Sequence, residues 1–270
     1  MPPRPRLILI GTSGYSYPWN EGGSEPLQWY VRQGFNSVEI NGTFYRFPRR
    51  MQAKAWARVP QAFKFSVKVH RSITHLYKLG PNALAATDRF LEALQPLLFK
   101  LEFLLFQLPP SIRYEARMLH RLGELVALHR LAGRAVVEFR HPSWWEHARE
   151  VQEAGAIFCS VDAPALPRDI INSNGTVYLR LHGREAWYAY EYSEAELREI
   201  WARALAASPE RLAIYLNNDH GMLPNAKRLL EFMRRLASTS SQDDPLPKGD
   251  GGGRPRVPAQ FGGQGRMRVI

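Results

Sequence analysis

Eight short apolar runs, each followed by polar or turn-forming residues, constrain the fold of this chain more than any other feature. The runs span residues 7–10, 35–40, 63–70, 101–107, 135–140, 156–162, 176–182 and 212–216. Apolar residues at helical spacing follow most of them, which predicts about seven helices between the strands. This alternation predicts a single α/β domain, the TIM (β/α)8 barrel. A doubly wound open sheet is the alternative, but the chain lacks a dinucleotide-binding glycine pattern.

The composition of the chain changes after the last predicted helix. Ser, Pro, Gly and Asp dominate from Ser238 onward, and no apolar periodicity continues there. We therefore predict a TIM-barrel domain over residues 1–237 and a disordered tail, rich in Gly, Pro and Ser, over residues 238–270.

Charge and cysteine content limit the class of protein. The 36 Lys and Arg residues against 25 Asp and Glu suit an anionic partner, although the formal charge of +11 also favours solubility. A lone cysteine, Cys159, excludes an internal disulfide framework. No apolar stretch approaches the ~20 residues of a bilayer span, and the first residues do not resemble a signal peptide. We therefore expect a cytoplasmic protein with no membrane association.

Polar side chains end several of the predicted strands. The strand alternation of two residues places Glu138 and Arg140 on one face of the fifth strand. Ser143 with Glu146 then predicts a capping box at the start of the next helix, and Ser193 with Glu196 predicts another. Because the carboxyl ends of the strands of such a barrel form one rim, we expect the polar groups to converge there.

The converging groups divide into candidate catalytic and candidate substrate-binding residues. The catalytic candidates are Glu39, Lys68, Glu138 and Asp162, with carboxylates as acid or base and lysine tuning them or stabilising an oxyanion. The substrate-binding candidates are Thr12, Asn41, Tyr45, His70, Gln107, Arg140, His141, Arg180, His182, Asn217, Asn218 and Asp219. Guanidinium groups bind anions in bidentate fashion. The set predicts an enzyme of the hydrolase or isomerase class that acts on a phosphorylated or polyhydroxylated, anionic small molecule.

Other interpretations of the same residues stay open. The cations and carboxylates could neutralise one another in a purely structural network. The net positive charge, with basic residues such as Arg46 and Arg71 near tyrosines, also suits a non-catalytic nucleic-acid-binding module. A metal-dependent phosphodiester hydrolase is a further alternative, but three cations in the same basin do not favour a divalent metal.

No cofactor is identified by the sequence. The turn at residues 11–14 lacks the lysine of a Walker motif, and no nucleotide-binding signature occurs elsewhere. The sequence likewise defines no metal and no oligomeric state.

Seven motifs, taken in order, resemble the YecE-like family, which is also called domain of unknown function 72. They are GTSG (11–14), VEIN with TFY (38–45), FSVK (65–68), LFQLPP (105–110), VEFRHPSW (137–144), YLRLHG (178–183) and NND (217–219). The resemblance extends from about residue 7 to residue 236 and implies a single TIM barrel without an established activity. Two features differ from the family pattern: Tyr15 replaces the usual tryptophan, and the loop at residues 188–192 has no glycine.

Overall fold

Eight parallel strands form the sheet of this protein, whose structure is a computed structural model that describes residues 4–240. The strands are β1 (Leu7–Thr12), β2 (Ser37–Ile40), β3 (Lys64–Lys68), β4 (Leu101–Gln107), β5 (Ala135–Glu138), β6 (Ile157–Asp162), β7 (Thr176–Leu181) and β8 (Arg211–Leu216). From β2 to β8, neighbours in sequence are neighbours in the sheet, and β8 also pairs with β1. A parallel bridge between Ser13 and Glu39 brings β1 and β2 together, so the barrel is nearly closed. The predicted TIM barrel is confirmed.

Helices surround the strands. They are α1 (Pro26–Arg32), α2 (Arg50–Trp56), α3 (Pro81–Leu94), α4 (Ala116–Leu128), α5 (Ala148–Glu153), α6 (Glu194–Ala206) and α7 (Met222–Ser240). No α-helix separates β6 from β7, where the sequence shows no clear helical periodicity either. Within residues 4–240, no helix has the length and apolar character that crossing a bilayer requires.

Alternation along the strands separates two apolar layers. The larger one contains residues of both strands and helices and joins the barrel to its outer shell. The smaller one fills the barrel with alternating strand residues, among them Leu9, Phe103, Val136, Cys159 and Tyr215. The next inward positions toward the carboxyl ends of the strands are mostly polar, and this polar layer supports the site described below.

The capping box predicted at Ser143 is wrong. His141 is the N-cap of a short 3-10 helix at Pro142–His147, and its Nδ1 accepts a hydrogen bond from the Ser143 backbone N–H at 3.2 Å. The Ser143 hydroxyl instead accepts from the Tyr114 backbone N–H at 2.8 Å. The box formed by Ser193 and Glu196 is confirmed.

The last helix, α7, continues to Ser240 and therefore passes the predicted boundary between residues 237 and 238. The rest of the predicted tail, residues 241–270, lies outside the described residues.

A glycine inside the barrel provides a test of this packing. A Cβ added at Gly11 would lie 2.3 Å from the backbone oxygen of Ser37, which cannot move without shifting β2. We expect Gly11→Ala to lower the free energy of unfolding by about 1–3 kcal/mol, as overpacking does elsewhere. Urea denaturation measures this change. In the control Gly42→Ala the added carbon has no neighbour within 4 Å. Equal effects of the two substitutions would contradict the close approach of β1 and β2.

Candidate active site

A buried arginine on β7, Arg180, lies at the centre of the polar layer. Its guanidinium pairs with Glu39 of β2, at 2.7 Å between Nη2 and Oε1, and with Glu138 of β5. All three side chains are completely buried. The same Nη2 also donates to the Ser13 hydroxyl oxygen at 3.1 Å. One side chain thus connects strands that lie apart in the barrel.

The Glu39 carboxylate is fully occupied by hydrogen-bond donors. Besides the contact with Arg180, its Oε1 accepts from the Ser13 hydroxyl at 2.6 Å. Its Oε2 accepts from the Tyr178 hydroxyl at 2.5 Å. This set of donors fixes the position of the Glu39 carboxylate.

Glu138 is surrounded by positive and polar groups. It pairs with Arg140 as well as with Arg180, and its Oε1 lies 3.3 Å from Nε2 of His182. Burial alone would raise the pKa of Glu138, but the two guanidinium groups outweigh it and hold this pKa well below its usual range. Glu138 is therefore ionised at neutral pH and acts as a counter-ion.

His182 is buried beside this ion pair as a neutral ring. Burial lowers the pKa of His182 to about 3, against the opposing effect of Glu138. The side-chain amide nitrogen of Asn217, on the loop after β8, lies 3.0 Å from Nδ1 of His182. Donation by this amide leaves the ring proton on Nε2, toward Glu138.

Lys68 at the end of β3 differs from the other buried cations. Its Nζ donates to Oε1 of Gln107 at 2.7 Å and lies 4.1 Å from the centre of the Phe44 ring. Among residues 4–240, no carboxylate forms an ion pair with it. Burial lowers the pKa of Lys68 to about 7, and the positive charge of Arg180 adds to the effect. Lys68 is therefore an amine that can change its protonation state near neutral pH.

A cavity of about 580 Å³ opens at the carboxyl ends of β1, β2, β3 and β8. Its lining includes Ser13, Tyr15, Tyr17, Asn41, Tyr45, Arg46, Gln52, Trp56, Lys68, Tyr188, Asn217 and Asp219. Lys68 thus reaches the cavity, whereas Glu39, Glu138 and Arg180 are not among its lining residues. A ligand in the cavity would meet the amine and not the buried carboxylates.

The loop after β7 forms the far wall of the site. The Arg140 guanidinium lies 4.3 Å from the centre of the Trp187 ring and donates to the Tyr188 hydroxyl at 3.3 Å. His182 contacts both aromatic rings, with ring centres 5.2 and 5.6 Å away. Arg140 is therefore engaged by Glu138 and this aromatic loop.

The structure brings most of the predicted site residues together. Glu39, Lys68, Gln107, Glu138, Arg140, Arg180, His182 and Asn217 lie in one connected layer, and Asn41, Tyr45 and Asp219 line the cavity above it.

Asp162 does not join this layer, contrary to the expectation from the sequence. It shares a strand face with Phe158, which packs in the outer apolar layer. Its carboxylate pairs with Arg184 at 3.1 Å and accepts from the Tyr192 hydroxyl at 3.1 Å. The inward position beside it on β6 belongs to Val161. Asp162 therefore stabilises the outside of the barrel.

Thr12 also lies on the outer face, contrary to expectation. Its backbone N–H and its hydroxyl bond to the Tyr30 hydroxyl at 2.9 and 3.1 Å. The next residue, Ser13, is the one that faces inward and lines the cavity. The glycine-flanked turn in the sequence indicated that this loop could belong to the site. The apolar run of β1 did not show whether the hydroxyl of Thr12 or that of Ser13 points into the barrel.

Three further predicted binding residues, His70, His141 and Asn218, are not among the residues that line the cavity. Nδ1 of His70 and of His141 each bonds the hydroxyl of the serine two residues further on, at 2.8 and 2.9 Å. Asn218 donates to Oδ1 of Asn225 at 2.8 Å. These side chains organise the turns after the strands.

Sequence reasoning missed the wall of the cavity that the β1 loop and α2 provide. The Tyr17 hydroxyl donates to the Ser13 backbone oxygen at 3.0 Å, and Nε1 of Trp56 donates to the Tyr15 hydroxyl at 3.0 Å. Trp56 lies on an amphipathic helix, where an aromatic residue is typical of the core, so its pattern carried no functional signal. Tyr15 replaces the family's usual tryptophan, and this difference was a signal from which its place in the cavity wall could have been predicted.

The described residues do not offer a metal-binding cluster. In residues 4–240, no group of three or more His, Cys, Asp and Glu side chains is placed to hold a metal ion. The physical reason is that Glu39 and Glu138 are already bound to Arg180, which repels cations. The predicted alternative of a metal-dependent phosphodiester hydrolase finds no ligand set in this part of the chain.

The barrel and the polar site at the carboxyl ends of its strands define a TIM-barrel protein with its candidate active site on the usual rim. Residues 9–250 match the model of the family described as protein of unknown function DUF72. The chain belongs to this family, which confirms the resemblance seen in the sequence.

Solved structures agree with this assignment. A DUF72 family protein from Thermotoga maritima is 28% identical, with a TM-score of 0.73 over 84% of this chain and 99% of that chain. One from Enterococcus faecalis is 20% identical, with a TM-score of 0.74 over 84% and 96% of the two chains. A D-psicose 3-epimerase solved with D-fructose is 10% identical, with a TM-score of 0.55 over 84% and 99%, and shares the fold alone. Among curated proteins, none matches this chain.

The ion pairs of Arg180 predict a large effect of one substitution on stability. Glu138→Gln leaves Arg140 and Arg180 buried with one carboxylate fewer. Breaking a buried ion pair by removing one partner costs about 3–5 kcal/mol, and we expect a loss of this size in urea denaturation. Glu153→Gln, which removes an exposed carboxylate paired with Arg149, is the control and should leave stability nearly unchanged. Unaltered stability of Glu138→Gln would rule out a structural role of the network.

Proposed function

We propose that this protein is an enzyme of the hydrolase or isomerase class that binds a small phosphorylated or polyhydroxylated, anionic substrate against Lys68. The observation that carries the proposal is a buried amine that reaches a cavity and has no carboxylate partner among residues 4–240. A desolvated cation without a counter-ion is unfavourable. An anionic ligand would supply the missing charge.

The rest of the cavity suits a polyhydroxylated molecule. Asn41, Asn217 and Asp219 provide amide and carboxylate groups that can hydrogen-bond hydroxyls. Oδ1 of Asn41 is buried without a hydrogen-bond partner, so a ligand hydroxyl could donate to it. Aromatic walls with a few polar groups are typical of small-molecule sites.

Lys68 is the group best suited to move a proton in this site. An acid or base with a pKa near the working pH is the most effective in proton transfer, and the pKa of Lys68 is about 7. Gln107 holds the amine in position through its Oε1. Glu39 and Glu138 contribute as positioning residues, because Arg180 occupies both carboxylates. The likeness to D-psicose 3-epimerase is one of fold, so the proposal depends on these side chains.

Binding of glycerol 3-phosphate, measured by titration calorimetry, tests the proposed site. We expect wild-type affinity to fall by about tenfold or more between pH 7 and pH 9, because deprotonation removes the positive charge of Lys68. Lys68→Arg keeps its charge and should bind equally at both pH values, whereas Lys68→Met should not bind. The control is Lys64→Met, earlier on the same strand and outside the cavity lining. Wild-type binding by Lys68→Met would refute the proposed site.

Exposed residues beside the cavity favour nucleic-acid binding as a second candidate function. Tyr45 is 67% exposed and lines the cavity with Arg46, and the exposed residues Arg49 and Arg50 are the N-cap and the first residue of α2. Stacking on an aromatic ring combined with phosphate contacts is typical of single-strand binding.

Fluorescence anisotropy with a labelled single-stranded oligonucleotide tests this second candidate. Affinity should fall steeply from low to physiological salt, and the triple substitution of Arg46, Arg49 and Arg50 by Ala should weaken the salt dependence. Arg117→Ala on α4 is the control, because Arg117 is exposed but does not line the cavity. No salt-sensitive binding at micromolar protein would exclude this function.

A further inference from the structure

The hydrogen-bond partners of Lys68 suit an uncharged amine better than an ammonium group. An ammonium has three N–H donors, and the described residues give Nζ one acceptor, Oε1 of Gln107, besides the ring face of Phe44. The other deeply buried lysine, Lys100, shows the contrast. Its Nζ donates to the backbone oxygens of Val59 and Pro60 at 2.6 Å each, which is a structural arrangement. Lys68 thus has fewer hydrogen-bond acceptors in the described residues than Lys100, and its amine reaches the cavity.

The surroundings of Lys68 also favour its neutral, nucleophilic form. Burial is the largest cause that lowers its pKa, and the guanidinium groups of Arg180 and Arg140 act in the same direction. The carboxylates of Glu138 and Glu39 act to raise this pKa, but both are paired with guanidinium groups. Desolvation and a neighbouring cation are the two conditions that turn a lysine into a nucleophile toward carbonyl groups.

We propose that the substrate of this site is an aldehyde or ketone and that Lys68 binds it covalently as an imine. This inference rests on the proposed function and names its substrate class. The Nζ lone pair attacks the carbonyl carbon, a C–N bond forms, and the carbonyl electron pair moves to oxygen. That oxygen accepts a proton from nitrogen and gives a carbinolamine.

The carbinolamine then loses water. Its C–O bond breaks as the nitrogen lone pair forms the C=N bond, and the hydroxyl leaves as water with the proton that the Lys68 ammonium released before the attack. Asp219 in the cavity lining can accept that proton and return it. Overall, one ammonium group and one carbonyl compound give one protonated imine and one water, so no further reactant is needed. The imine places a positive charge beside the α-carbon, and that charge assists proton removal there. Hydrolysis reverses the step and frees the product.

Reductive trapping tests the imine. The full-length protein is incubated with dihydroxyacetone phosphate and sodium borohydride, and the adduct is located by peptide mass spectrometry. We expect a reduced adduct at Lys68, seen as loss of tryptic cleavage after this residue, and none at Lys100, which is buried but outside the cavity lining. Trapping should increase with pH through about 7, where Lys68 deprotonates. Lys68→Arg retains the charge and should give no adduct.

Glycerol 3-phosphate, which has no carbonyl group, separates failure of the imine from failure of the site. If it binds and dihydroxyacetone phosphate leaves no adduct on Lys68, the imine is overturned and the proposed function stands. If neither compound binds, the proposed anionic site is lost together with the imine. Adducts spread evenly over exposed lysines such as Lys54 and Lys78 would also overturn the imine, because they would show reactivity that does not depend on the cavity.

Discussion

The contact of Arg180 with two buried carboxylates is the interaction on which the upper half of the barrel depends. Glu39 and Glu138 balance Arg140 and Arg180 in charge, so the buried layer is neutral without Lys68. Among the described residues, no carboxylate forms an ion pair with this extra cation. An ion-pair network that is structural by itself therefore leaves an amine of altered pKa at the cavity. The structural and functional interpretations of these charges are thus complementary.

The site is asymmetric because the strands present different residues to the barrel interior. β6 presents Cys159 and Val161 to the barrel interior, while β2, β3, β5 and β7 present charged groups at their carboxyl ends. On the far side, the aromatic loop after β7 covers Arg140, and its Tyr188 lines the cavity. The open volume is consequently confined to the side of β1, β2, β3 and β8. A ligand there would approach Lys68 from one direction only.

Strand alternation predicted the inward residues correctly on β5 and β7 and failed on β6. On β5 and β7 the charged residues Glu138 and Arg180 marked the inner face, because burying them elsewhere would be costly. On β6 a carboxylate and a hydroxyl also alternate with apolar residues, yet Asp162 points outward to Arg184. Both faces of a strand in a closed barrel are buried, so polarity alone does not tell them apart.

The sequence by itself determined the TIM barrel, the order of its strands and the rim at which Glu39, Lys68, Glu138 and Arg180 meet. Regular alternation of strand and helix has few solutions, and local patterns are enough to select this one. Only the tertiary structure decided which of these groups is free to act. Arg180 pairs with Glu39 and Glu138, which are far from it in the sequence. No local sequence pattern encodes the distances between these three side chains or how deeply each is buried. The same long-range packing left Lys68 beside the cavity and turned Asp162 away from it, because electrostatic partners are selected by proximity in space.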